Sequence, residues 1–382
     1  MYKVLVVDLD GKVPMHDSLL CDALANGENC RIMLASTTPR ANNSQVSLIK
    51  LISLVPSKYF SSKSKWKILL RGIEGLLNYL YVIYVAAVNR ISIFHFQWLP
   101  FMDYVSIDVY MLCLIKLLLP KVKIVLSVHN VFPHDISESR KRKYVGRMKR
   151  ADKYIDAYIL HVDFSKREFV DNYHINKGKV FVTKVGLLPY TEVEPLQHTK
   201  DNSIIRLIMY GYHSYYKGTD ILLNAMNLLP DIIKDKVFLT VIGKISSDYE
   251  DIISSVNSGD NIKIIPYYVD DQILSQEISS ADIIVLPYRS ISQSGALQLA
   301  LNYAKPIIAS DLEPFKETLF TYDKECFFKN NDASSLSEII SNYILEKINI
   351  EEQISRTKEL KHVYSWNNTA EQTIKVYNII RK

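Results

Sequence analysis

The chain has 382 residues, too many for one ordinary core, and is expected to form two domains of similar size. Apolar content of 48% with 23% charged residues excludes a largely disordered protein. Four cysteines without a C-x-x-C pair exclude a zinc ribbon or a disulfide framework and point to a reducing compartment. The net charge of +5 conceals an asymmetry: residues 1–190 hold 27 Lys+Arg against 15 Asp+Glu, a net +12, which leaves the remainder at net −7.

In chain order, VLVVDLDGK (4–12) comes first. Apolar residues running into Asp-x-Asp-Gly fit the opening of a haloacid dehalogenase phosphatase, with one Asp as nucleophile and the next as acid. They equally fit the first buried strand of a doubly wound domain, followed by a glycine turn. Lys12 stands where such a phosphatase wants Thr, which favours the strand and turn and leaves Asp8 and Asp10 as structural or loop residues. YYVDDQ (267–272) does imitate the late acidic pair of that superfamily. The chain reaches Asp8 before an apolar core long enough for a signal peptide can form, so none is expected and the protein is placed in the cytoplasm.

Short apolar, β-rich runs then recur at 3–8, 30–35, 91–96, 123–130, 157–162 and 179–186, with helical stretches between them. The polar, proline-bearing segment 189–203 interrupts this pattern as a linker. The alternation restarts with runs at 204–211, 236–243, 261–268, 281–288 and 305–311. Continuous apolar strands separated by helices imply parallel sheets covered on both faces. The expected fold is therefore α/β, with two facing Rossmann-like doubly wound domains and an interdomain cleft, ligands binding beyond the carboxyl ends of the strands. The expected boundaries are 1–188, the linker 189–203, 204–365, and a helix over 366–382 packing back toward the N-terminal domain.

Two basic clusters, Lys58 to Arg71 and Arg140 to Lys153, carry much of the positive charge of the first half. Beside the first lies GLLNYLYVIYVAAV (75–88), whose 14 residues fall short of the roughly 20 needed to span a bilayer. Its tyrosines and flanking bases suit either a core helix or a surface that dips into lipid headgroups. Solvated helix faces remain the plain alternative for both clusters. No recognition helix, RNP-like stretch or zinc finger supports nucleic acid as the partner.

In MYGYHSYYKGTDILLNA (209–225) a strand ends at Gly211, and a turn delivers Lys217-Gly218 just ahead of an amphipathic helix. VLPYRSISQSGALQLALNYAKPIIASD (285–311) repeats the arrangement with a polar loop, Gly295, a helix and Lys305-Pro306. A phosphate over Gln293, Ser294 and Gly295 would meet the free N–H groups of a helix start. The helix dipole supplies about 0.3–1 kcal/mol, so a cation such as Lys217 is needed beside it. A nucleoside diphosphate satisfies both, with no metal required.

Taken together, YKG, VIG (241–243), VLPYRS, SQSGALQLAL, AKPIIASD, Glu317 and YSWNNTAEQTIKVY (364–377) resemble, in order, the donor-domain signature of retaining glycosyltransferase family 4, whose members have the GT-B fold. HFQWLP (95–100) and SVHNVFPHD (127–135) are similar, more loosely, to its N-terminal half. The resemblance implies a nucleotide-diphosphate sugar as co-substrate, no metal or other cofactor, and retention of anomeric configuration. It places His129 against the donor sugar or its leaving phosphate and Lys217, with Gly211, Gln293, Ser294 and Gly295, on the diphosphate. The Gly11 turn would approach the same diphosphate from the opposite wall. Tyr268 and Gln298 are the candidates for the ribose and base. The expected acceptor is a glycan, lipid-diphosphate-linked as in O-antigen or capsule assembly, with the basic half peripheral on the inner face of the cell membrane.

Two departures from the family pattern stand out. Tyr212, His213 and Ser214 occupy the place of an Arg that shares the diphosphate, and Leu299 and Ile291 occupy those of the two helix glutamates, so that either Gln298 or Gln293 serves the ribose or the nucleotide sits differently. A GT-B sugar-nucleotide epimerase and a non-catalytic protein of the same fold remain as alternatives. His95 and His161 are expected to be structural.

Overall fold

The computed structural model describes residues 2–27, 30–54, 65–133, 137–189, 193, 204–256, 259–291 and 294–382. The chain separates into two compact units, Met1–Gly186 with Ser365–Lys382, and Leu187–Tyr364. Most of the expected linker, and Gln293, lie outside the described residues.

The first unit runs β1 (Tyr2–Asp8), α1 (Pro14–Ala25), β2 (Cys30–Ser36), β3 (Ser47–Lys50), α2 (Lys65–Asn89), β4 (Ile93–Phe96), α3 (Ile107–Leu118), β5 (Lys123–Ser127), α4 (Glu138–Ala151), β6 (Ala157–Leu160), α5 (Asp163–Tyr173) and β7 (Val180–Val182). Its seven strands lie in the order β3-β2-β1-β4-β5-β6-β7, with every adjacent pair parallel. Successive residues of β1 feed opposite faces. Leu5 and Val7 join one core with Phe94, Phe96 and Tyr79, while Val4 and Val6 join the other with Leu20, Leu24 and Tyr377. Two buried faces explain why β1 is apolar throughout.

The second unit runs β8 (Ile205–Tyr210), α6 (Thr219–Asn227), α7 (Asp231–Lys234), β9 (Val237–Ile242), α8 (Glu250–Ser255), β10 (Ile262–Ile265), α9 (Asp271–Ser280), β11 (Ile283–Leu286), α10 (Gly295–Asn302), β12 (Ile307–Ser310), α11 (Glu313–Thr318), β13 (Phe327–Phe328), α12 (Ala333–Ile344) and α13 (Ile350–Val363). The sheet order is β10-β9-β8-β11-β12-β13, again parallel. In each sheet the order reverses once, between β1 and β4 and between β8 and β11, and such switch points are where doubly wound sheets take their ligands. Two separate sheets also remove the single-sheet phosphatase. The last helix, α14 (Trp366–Arg381), belongs to the first unit, where the Tyr377 hydroxyl is hydrogen-bonded to His95 Nδ1 at 2.6 Å.

The edge strands β3 and β13 were not foreshadowed by the apolar runs, because SLIK buries only Ile49 and FF is two residues long. The run at 123–130 stops pairing at Ser127, and that at 179–186 stops at Val182. Helix α2 is apolar on two sides. Tyr79, Val82, Ile83 and Ala86 are buried, whereas Trp66, Leu70, Ile73, Leu77, Leu80, Tyr84 and Val88 are exposed in one stripe at helical spacing. Among the described residues no helix is long and apolar enough to cross a membrane.

Candidate functional site

In the second unit, two loops at the β8/β11 switch point build one polar niche. After β8 the chain passes Gly211 and makes a single 3-10 turn over Tyr215–Lys217, closed by Gly218 in the left-handed region (φ +70°). Only glycine fits there, since a Cβ would lie 2.0 Å from the Pro287 carbonyl oxygen. The close approach seats the first loop directly against the loop after β11. Gly243 does the same one strand over: its Cβ would lie 2.0 Å from the Gly211 carbonyl oxygen. The K-G and V-x-G pairs of the sequence are thus packing requirements of the niche.

Lys217 is 6% exposed, and its Nζ donates to the Tyr288 hydroxyl at 2.5 Å while standing 4.6 Å from the centre of that ring. A Cβ on Gly211 would lie 3.0 Å from the same Nζ, so the amine rests against the bare Gly211 backbone. The Tyr288 hydroxyl reaches Ser294 Oγ at 3.4 Å, and Ser294 caps α10 by accepting from the Leu297 N–H at 3.0 Å. The structure therefore brings Gly211, Lys217, Ser294 and Gly295 together and adds Tyr288. Burial lowers the Lys217 pKa to about 8. An anion in the niche would restore the charge that burial penalises.

The position of the family Arg is settled differently. His213 is fully buried, its Nε2–H donating to the Ile242 carbonyl at 3.1 Å and its Nδ1 accepting from Thr219 Oγ1 at 2.9 Å. Burial lowers its pKa to about 4, so it is a neutral structural group. Arg289 is likewise committed: it pairs with Asp220 at 2.7 Å and donates to the Tyr215 carbonyl at 2.7 Å. Leu299 packs on the core of the unit. Gln298 lies partly exposed on α10, and Tyr268 stands 79% exposed beyond β10.

The first unit holds a second polar group near its own switch point. Gly11 adopts φ +63°, and a Cβ there would lie 2.5 Å from Thr37 Oγ1. Asp8 ends β1, buried, and accepts from the Val13 N–H at 3.1 Å; Asp10 pairs with Arg71 at 2.9 Å. Gln97, just past β4, is fully buried and its side-chain carboxamide has no hydrogen-bond partner among the described residues. His129 follows β5 and packs against His16 of α1, His161 beyond β6 and Trp98, with ring centres 4.9, 5.4 and 6.4 Å away. His16, in DGKVPMH, and Trp98 carried no sequence signal of this role, because the cluster joins residues from four separate loops and helices. His95 is structural, bonded to Tyr377 and to Ser127 Oγ.

Two parallel-sheet α/β units, each with its polar residues at a switch point, define the architecture of GT-B glycosyltransferases. Anabaena HepE, solved with UDP and glucose, superposes with a TM-score of 0.66 at 12% identity, covering 99% of this chain and 100% of that one. WaaG, a glycosyltransferase involved in lipopolysaccharide biosynthesis, gives a TM-score of 0.61 at 13% identity, covering 99% of each chain. Residues 192–360 match the sequence profile of the glycosyl transferases group 1 family, so the C-terminal unit carries a group 1 glycosyltransferase domain. A GDP-mannose:glycolipid 4-beta-D-mannosyltransferase of Xanthomonas campestris pv. campestris is 25% identical over 209 residues. That match takes in 52% of this chain and spans about half (53%) of the relative's length.

Proposed function

We propose that this protein transfers a hexose from a nucleoside-diphosphate sugar to a lipid-linked glycan acceptor. The observation that carries the proposal is the convergence of the Lys217 amine, the bare Gly211 backbone and the Ser294-capped start of α10 at the β8/β11 switch point, inside the group 1 domain. As the bond between the anomeric carbon and the β-phosphate breaks, charge grows on the leaving diphosphate. Lys217 and the free N–H groups of α10 stabilise that charge in a water-poor niche, without a metal. Gln298 and Tyr268 take the ribose and base, and the family resemblance assigns Gly11 to the diphosphate and His129 to the sugar or its leaving phosphate. The resemblance to family 4 supports retention, whereas the name of the Xanthomonas relative specifies a β-mannosyl product.

A glycolipid acceptor is supported by that relative's name and by the exposed stripe of α2. Its seven exposed apolar residues from Trp66 to Val88 extend over 22 steps, about 33 Å of helix. Lys63, Lys65, Lys67 and Arg71 flank its start in sequence. Such a face can settle into headgroups, with about 1 kcal/mol from each basic residue near an anionic leaflet. Assembly of bacterial surface polysaccharide, O-antigen or capsule, is the matching process, and the inner membrane face the matching place.

The test is calorimetry with UDP and GDP, then nucleoside diphosphate release from a panel of nucleotide sugars with and without lipid-linked acceptor. Release that depends on acceptor, with a glycosylated lipid product, supports transfer; NMR of its anomeric signal tests retention. Sugar isomerisation without acceptor would make the protein an epimerase. Failure to bind any nucleotide would leave a non-catalytic relative.

A further inference from the structure

We propose that His16, His129 and His161 form a binding site for a divalent transition metal in the N-terminal unit, a role beyond the glycosyl transfer proposed above. The expectation from sequence was a protein without metal sites. One nitrogen of each ring lies within 4.8 Å of one nitrogen of each of the others. Tetrahedral coordination at about 2.0–2.1 Å sets ligand nitrogens about 3.3 Å apart, so no pair has to close by more than about 1.5 Å. Rotations of the three side chains supply a movement of that size.

The hydrogen bonding around the rings selects the lone pairs that would bind. His161 Nδ1–H donates to the Thr183 carbonyl at 3.1 Å, which leaves Nε2 as the acceptor, and Nε2 has no partner among the described residues. Neither nitrogen of His16 has a hydrogen-bond partner there, and its Nδ1 faces the Asp17 carboxylate at 3.8 Å. The Thr183 carbonyl behind His161 is the kind of outer partner that metal-bound histidines keep, because it fixes the tautomer and orients the ring. Buried polar atoms without partners are costly, and a cation shared by the rings would satisfy them together.

The surroundings restrain the rings. Trp366 meets His16 edge-on at 5.1 Å, seated against Gly186, where a Cβ would lie 2.5 Å from the indole. Trp98 stacks on His129 with planes 17° apart. Three neutral imidazoles favour Zn²⁺, Co²⁺, Ni²⁺ or Cu²⁺ over Mg²⁺ or Ca²⁺. Three protein ligands leave the fourth position of a tetrahedron open to water or another small ligand. With a ring nitrogen on the ion, His129 would contribute positive field to its surroundings, and that nitrogen could not accept a proton.

The experiment uses untagged full-length protein stripped with a chelator and titrated with CoCl₂. The expected result is one equivalent bound, with the visible absorption of four-coordinate cobalt, displaced by ZnCl₂ and unaffected by millimolar MgCl₂. His16→Asn and His161→Asn should each lose that equivalent while keeping the far-ultraviolet circular dichroism of the parent. Two remote histidines provide the control, and His174→Ala with His362→Ala should change nothing. Absence of stoichiometric cobalt from the parent protein, a six-coordinate spectrum, or full binding by folded His16 and His161 variants would overturn the proposal. Because the site draws on the first unit alone, its failure would leave nucleotide binding by the second unit untouched.

Discussion

Replacing Lys217 by Met separates the two things this residue does. The charged amine is a burden on the fold: burial takes its pKa from 10.5 to about 8, a penalty of roughly 3 kcal/mol at about 1.4 kcal/mol per pH unit. Methionine keeps most of the volume and removes the penalty. Against that gain, the Tyr288 hydroxyl loses its 2.5 Å partner and retains only the 3.4 Å contact with Ser294, a cost of about 1–3 kcal/mol. The net is a stabilisation of about 0–2 kcal/mol, and each kcal/mol raises the melting midpoint of a domain this size by about 2–4 °C. Nucleotide binding should move the other way. A charge-assisted hydrogen bond is worth about 1.5–3 kcal/mol, so calorimetry with UDP or GDP should show affinity reduced about 10- to 150-fold. Higher stability with lost binding marks a residue kept for its charge. Unchanged affinity in Lys217→Met would refute the placement of the diphosphate, and a variant that melts well below the parent would make Lys217 a structural residue.

The same amine predicts a pH dependence. It is protonated below about 8 in the free protein, so nucleoside diphosphate affinity should hold from pH 7 to 8 and then fall about tenfold per pH unit, a decline that Lys217→Met should lack. Gly243→Ala should destabilise the second unit by several kcal/mol in urea unfolding, because its Cβ meets the Gly211 carbonyl oxygen at 2.0 Å at a φ of +134°. His213 has a folded pKa of about 4, below the 6.5 of an unfolded chain. The unfolded state therefore binds the extra proton between these values, and its contribution to stability is lost as pH falls from about 6.5 toward 4, by up to about 3 kcal/mol. Urea unfolding of the parent and of His213→Asn across that range should show the difference between them shrinking toward acid; a constant difference would mean that His213 has the same pKa in the folded and unfolded protein.

Much of the architecture was legible because buried parallel strands leave an unambiguous mark. IIVL, IIAS and VLVVD must be apolar on both faces, and glycines at fixed offsets after them mark where backbone meets backbone. Lys217 and Ser294 were legible for the same reason, since each lies at a strand-to-helix turn whose local sequence fixes its position. The edge strands β3 and β13 were not, because SLIK buries a single side chain and FF is too short to make an apolar run.

By itself, the sequence determined that there would be two doubly wound sheets and which turns would present a lysine and a helix start, since strand burial and helix capping are settled within a dozen residues. Only the tertiary structure decided the partners. Tyr288 supplies the hydroxyl beneath Lys217, Asp220 occupies Arg289, and Thr219 with the Ile242 carbonyl makes His213 a neutral structural group. The three histidines meet only because β1, β5 and β6 end on the same side of one sheet, and residues 32 to 145 positions apart carry no local trace of such a meeting.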